Sequence, residues 1–152
     1  MNEEMIETLR RGIDVLVREF KIADVVQPRD GGPLLNPSDV QTLMYVEEHD
    51  GCIARDLADF LGVPPTSVTT IIDRLVRRAY LSRGRTEKHR RVVVLSLTEA
   101  GREVLEQILE EQRRHCSAIL TILDTTERDQ FVAQISDIAK GVALAREKGA
   151  DA

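Results

Sequence analysis

The chain has 152 residues, of which 26 are acidic and 21 basic, for a formal charge of −5. That length fits one compact domain or one subunit of an assembly, and with 3% aromatics and no Trp its core has to be aliphatic. The acidic start Met1 to Thr8 is not a signal peptide, no apolar run reaches the length of a membrane span, and Cys52 and Cys116 supply neither a disulfide framework nor a metal motif. The expectation is a cytoplasmic protein with no cofactor, no metal and no membrane contact.

Residues 3 to 24 predict a first helix, with Ile6, Leu9, Ile13, Leu16, Phe20 and Ala23 on a heptad-like stripe that Val17 widens. The Pro- and Gly-rich stretch Gln27 to Leu35 ends it. Asn36 and Pro37 read as the N-cap and first residue of a second helix, running through Val40, Leu43, Met44 and Glu47 and stopping before Gly51. A short helix follows from about Ala54 to Leu61, with Leu57, Ala58 and Leu61 inward and Gly62 as its C-terminal turn. It is the first half of a helix-turn-helix, and Pro64-Pro65 opens the second.

From Pro65 to Arg78, Val68, Ile71, Ile72 and Leu75 recur at helical spacing and face a core. The other side carries Thr66, Thr69, Thr70, Asp73 and Arg77, flanked by Ser67 and Arg74. Small hydroxyl side chains let a helix backbone come close to a phosphate or base edge, and arginines bind guanine bidentately or clamp phosphates. Leu81 to Arg85 and Arg91 to Leu97 then form a hairpin around the polar tip Thr86 to Arg90, the second run rich in β-branched valines. Between Arg74 and Arg91 eight Lys or Arg face one acidic residue, Glu87, about +7 by formal counting on an acidic chain. A basic patch on an acidic body steers one face onto a phosphate backbone.

Thr98 caps a long helix of about twenty residues, with Leu105, Leu109, Cys116, Ile119 and Leu123 on one stripe and Val104 and Ile108 beside it. Two stripes predict two neighbours and a packed Cys116, while Cys52 is a small hydrophobe near a strand. Asp124 and Glu127 start a last helix that buries Phe131, Ile135, Ile138, Val142 and Ala145, with the tail frayed after Glu147. No Ser-His-Asp arrangement, paired-acid site or phosphate-cradling loop is present, which argues against an enzyme. His49, His89 and His115 share no ligand spacing, so no metal site is expected.

In this order, Leu35-Asn36-Pro37-Ser38, Asp56-Leu57-Ala58, Leu61-Gly62-Val63, Ser67-Val68-Thr69, Asp73-Arg74-Leu75, Arg83, Arg90-Arg91 and Leu97-Thr98-Glu99-Ala100-Gly101 give the chain its resemblance to the MarR family of bacterial transcriptional regulators. The resemblance implies a mainly α fold with a small β-wing. A winged helix-turn-helix lobe at 35–98 sits between N- and C-terminal dimerisation helices at 1–34 and 99–152. It implies a homodimeric repressor on a near-palindromic double-stranded operator, released by a small aromatic or phenolic ligand. DNA contacts fall on Pro65, Thr66, Ser67, Thr69, Thr70, Arg74 and Arg77 of the helix and on Arg83, Arg85, Lys88, His89, Arg90 and Arg91 of the wing. Ligand contacts fall on Leu16, Phe20 and Met44, in a pocket between the dimer helices and the DNA-binding lobe.

Three positions depart from the family pattern. Ile53 replaces a capping Ser or Thr, and Ala79 replaces a Gly after the recognition helix. His89 stands where an aspartate usually orients the minor-groove arginine, here Arg91, and once protonated it adds to the wing's charge below about pH 6.5. Two other functions fit the same residues: a winged-helix module docking on an acidic protein surface, and a ligand-independent DNA-binding activator.

Overall fold

The structure is a computed structural model that describes residues 2–19, 26–87 and 90–150, with side chains up to residue 145. Its elements are α1 (Glu3–Glu19), α2 (Pro37–Glu48), α3 (Ala54–Leu61), α4 (Pro65–Arg77), β1 (Leu81–Arg85), β2 (Val93–Leu97), α5 (Glu99–Ile122) and α6 (Thr125–Ala150). They divide into two compact units, Met1–Gln112 and Arg113–Ala152, with α5 running through the boundary. No helix among the described residues is long and apolar enough to cross a membrane.

In the first unit the helix ends follow the local chemistry. Asn36 caps α2 reciprocally: its Oδ1 accepts the Asp39 N–H at 2.9 Å while Asp39 Oδ2 accepts the Asn36 N–H at 3.0 Å. Ile53 has no side-chain oxygen to offer α3, and Asp56 Oδ2 supplies only the return bond to the Ile53 N–H, at 3.1 Å. Gly62 closes α3 at φ 66°, the left-handed region open to glycine.

The end of α4 is less comfortable. The Tyr80 N–H reaches back to the Leu75 carbonyl at 3.0 Å and the Ala79 N–H to Val76 at 2.9 Å, the paired bonds of a Schellman termination. This geometry places Ala79 at φ 59°. An L-residue there costs about 1–2 kcal/mol, part of which glycine's looser unfolded chain takes back. Ala79→Gly is therefore expected to stabilise the protein by about 0.5–1 kcal/mol in denaturant titration.

β1 and β2 pair antiparallel, Leu81 opposite Leu97 and Arg85 opposite Val93. Cys52 joins their base, its carbonyl accepting the Leu95 N–H at 2.8 Å. Burial raises the Cys52 thiol above its ordinary pKa, with Asp56 adding to the effect, as befits a packed small hydrophobe. Leu35, Leu43, Leu57, Leu75, Leu81 and Leu95 are fully buried, and Val104, Leu105 and Ile108 from the start of α5 join the same core. The beginning of α5 is thus an integral wall of this unit.

The loop between α1 and α2 is strapped to its surroundings at several points. Val26 and Leu35 form an antiparallel bridge, Gln107 Oε1 accepts the Arg29 N–H at 2.8 Å, and the Tyr80 hydroxyl donates to Asp30 Oδ2 at 2.6 Å. Burial, reinforced by Asp30, pushes the Tyr80 phenol up to about 12, while the Tyr80 hydroxyl and the Gly32 N–H hold the Asp30 carboxyl below its ordinary value.

Several expectations meet a different outcome. α1 buries none of its described residues: Ile6, Leu9, Ile13 and Leu16 all lie exposed, and Phe20 and Ala23 fall outside the described residues. In the second unit Phe131 is half-buried, but Ile135, Ile138, Val142 and Ala145 are exposed, Val142 by 66%. Cys116 is exposed rather than packed. The apolar residues recur at helical spacing as expected, but they are exposed within this chain. The helical backbone continues past Glu147 to Ala150, where fraying was expected.

Candidate nucleic-acid interface

α4 turns Val68, Ile71, Ile72 and Leu75 into the core, which leaves Pro65, Thr66, Ser67, Thr69, Thr70 and Arg77 on its exposed side. Thr69 Oγ1 donates to the Pro65 carbonyl at 3.0 Å and Thr70 Oγ1 to the Thr66 carbonyl at 3.1 Å, so both hydroxyl protons are spent on the helix itself.

Arg74, a candidate DNA contact, has a partner within the chain. Its Nε donates to Asp39 Oδ1 at 3.0 Å, its Nη2 donates to the same oxygen, and the Asp39 side chain is 1% exposed. A buried carboxylate needs a compensating cation and satisfied lone pairs. Arg74 provides the cation and satisfies Oδ1 while the Asn36 N–H satisfies Oδ2, so the guanidinium anchors α4 against the start of α2.

Arg83 on β1 pairs with Asp73 on α4. Both side chains are well exposed, so the pair adds little stability, yet it ties the base of the wing to the exposed face of α4. Further out, Arg85 Nη1 donates to the Arg90 carbonyl at 3.1 Å, and Arg85, Arg90 and Arg91 are exposed around the tip. Lys88 and His89 lie outside the described residues. The result is a short-hydroxyl helix face beside a cationic hairpin, with Arg77 at the C-terminal end of α4. That arrangement suits a helix in a major groove and a hairpin on the adjoining backbone.

The ligand candidates are scattered. Leu16 is on the exposed stripe of α1, Met44 is half-buried on α2 against the core, and Phe20 lies outside the described residues. Sequence reasoning missed one feature of the α2–α3 surface, an aromatic stack in which Tyr45 lies 4.2 Å from His49 and 4.5 Å from Phe60 between ring centroids. The i, i+4 spacing of Tyr45 and His49 was the available signal.

Residues 35–92, from the cap of α2 to the wing, match the sequence model of the MarR family. This winged helix-turn-helix segment is similar to the MarR family. Its members are DNA-binding transcription regulators and not enzymes. Among relatives, the transcriptional repressor MprA of Escherichia coli is 33% identical over 85 residues, covering 56% of this chain and 48% of MprA, about half its length. The solved structure of RV1404 from Mycobacterium tuberculosis superposes with a TM-score of 0.74 at 22% identity, over 92% of this chain and 94% of that one. BpsR of Bordetella bronchiseptica, whose DNA binding is regulated by 6-hydroxynicotinic acid, gives a TM-score of 0.60 at 21% identity over 90% and 99% of the two chains. Both structures share the MarR winged-helix fold seen here.

Proposed function

We propose that this protein is a MarR-like homodimeric repressor that binds a near-palindromic operator and releases it when a small aromatic or phenolic acid binds. One observation carries the reading. A helix face bearing Thr66, Ser67, Thr69, Thr70 and Arg77 stands beside a wing bearing Arg85, Arg90 and Arg91, on a chain of net charge −5. Residues 35–98 act as the DNA-binding lobe, and residues 1–34 and 99–152 carry the dimer contacts, with the start of α5 shared between both roles.

The dimer is supported by the exposed apolar stripes of α1 and α6, since such faces are covered in solution by a partner. Two recognition helices related by a two-fold axis read half-sites one DNA turn apart. Repression is what MprA is named for, and regulation of DNA binding by an aromatic acid is what is described for BpsR. A ligand acts here by binding one spacing of the two recognition helices better than another, and its effect on DNA affinity is bounded by that difference.

Salt dependence tests the electrostatic half of this function. Neutralising roughly six phosphates per dimer gives a slope of about −5 for log K against log salt concentration. A slope near zero on every duplex would instead favour docking of the basic face on an acidic protein surface.

A further inference from the structure

We infer that Thr69 and Thr70 read the C5-methyl groups of thymines in the operator, by apolar contact rather than by hydrogen bonding. The inference rests on the DNA-binding function proposed above and deepens it by naming the base feature that the middle of α4 recognises.

A threonine in a groove can offer a hydroxyl proton, an oxygen lone pair or a methyl group. The hydroxyl protons of Thr69 and Thr70 are already donated to the carbonyls of Pro65 and Thr66, at 3.0 and 3.1 Å, one helical turn back. What each exposed side chain has left for a base edge is its methyl and the acceptor side of its oxygen. To donate to guanine or to the N7 of adenine, either residue first has to give up its bond to the helix. Apolar contact with a thymine methyl needs no such exchange, and threonine methyls are used in this way in major grooves.

The neighbours on this face reinforce the division of labour. Asp73, one turn on from Thr69 and Thr70, is occupied by Arg83, and Arg74 by Asp39. Among the charged side chains of the described α4 face, Arg77 lies a further turn toward the C-terminus. The middle of the helix therefore reads as a methyl-bearing patch, and charged contacts belong to its end and to the wing.

The test uses the full-length protein and a duplex enriched from a random pool, in which each thymine is replaced in turn by deoxyuridine, removing the methyl alone. At one or two thymines per half-site the parent protein is expected to lose affinity by about fourfold per methyl. The Thr69→Val, Thr70→Val variant keeps a methyl at each position and should remain sensitive to uracil, losing about the same factor per thymine methyl as the parent. The Thr69→Ser, Thr70→Ser variant keeps the hydroxyls but lacks the methyls; it should bind thymine and uracil duplexes alike, at the parent's affinity for uracil. The coupling between the protein methyl and the DNA methyl separates contact from a general loss of fold. Indifference of the parent to every uracil overturns the inference while leaving sequence-specific binding intact, and so does a Ser variant that keeps full affinity while the Val variant loses it. Failure to enrich any duplex overturns the DNA-binding function itself, and this inference with it.

Discussion

Gly101→Ala is expected to destabilise the protein by about 3 kcal/mol or more, the upper end of what overpacking costs. A Cβ built on Gly101 falls 2.1 Å from the Tyr80 carbonyl oxygen and 3.0 Å from its carbon. Backbone atoms are the obstacle, so no side chain can rotate out of the way. The junction around them is already tight: the Tyr80 carbonyl accepts the Thr98 N–H at 3.0 Å, the Thr98 hydroxyl donates to the Ala79 carbonyl, and Thr98 Oγ1 accepts the Gly101 N–H at 3.0 Å. Moving α5 away to admit a methyl group breaks this cap and separates Val104, Leu105 and Ile108 from the core they share with α4.

Gly141→Ala provides the opposite sign from the same chemical change. Gly141 lies in α6 with nothing within 4 Å of an added Cβ, so alanine's better helix propensity should stabilise by up to about 1 kcal/mol. Thermal melts of the two variants at one protein concentration should move in opposite directions. Equal small shifts would mean that α5 does not begin against Tyr80.

The second large effect separates two arginines three residues apart. Arg74→Ala leaves the Asp39 carboxylate, 1% exposed, without its cation and is expected to cost about 3 kcal/mol. Arg77→Ala removes an exposed side chain and should change stability by less than about 0.5 kcal/mol while weakening DNA binding. A denaturant titration and a DNA titration on each variant make the distinction. If Arg74→Ala proves as stable as the parent yet loses DNA affinity, the assignment of Arg74 as an anchor of α4 is wrong.

The contrast between these arginines also marks how far the sequence could be read. Helical periodicity puts Arg74 at the edge of the exposed face of α4, where it resembles a groove contact. Its partner Asp39 is 35 residues away, where its carboxylate also completes the capping box of α2. A local pattern can identify the cap and the stripe, but not that one carboxylate serves both the cap and an arginine across the core. Much of the interface was legible because it is local: Pro64-Pro65 starts α4, four aliphatic residues orient it, Gly62 turns α3 at φ 66°, and the valines of β2 close the hairpin. Ala79 stands where the resemblance places a Gly after α4, and its φ of 59° is the conformation such a Gly serves.

The apolar stripes of α1 and α6 were equally visible, but periodicity says only that a face seeks cover and not which molecule provides it. Leu9, Ile138 and Val142, all on those stripes, are exposed in this chain. The close approach of Gly101 to Tyr80 was hidden for a different reason: it lies between backbones, and a glycine in a helix start carries no pattern that distinguishes a steric need from a tolerated cost.

The most direct test of sequence-specific DNA recognition is selection of duplexes from a random pool by the purified protein at near-physiological salt, with Arg91→Ala in parallel. The predicted result is an enriched inverted repeat with half-site centres about 10 base pairs apart, bound tightly by the parent and poorly by the variant. No enriched sequence, with equally weak binding by both proteins, would contradict it.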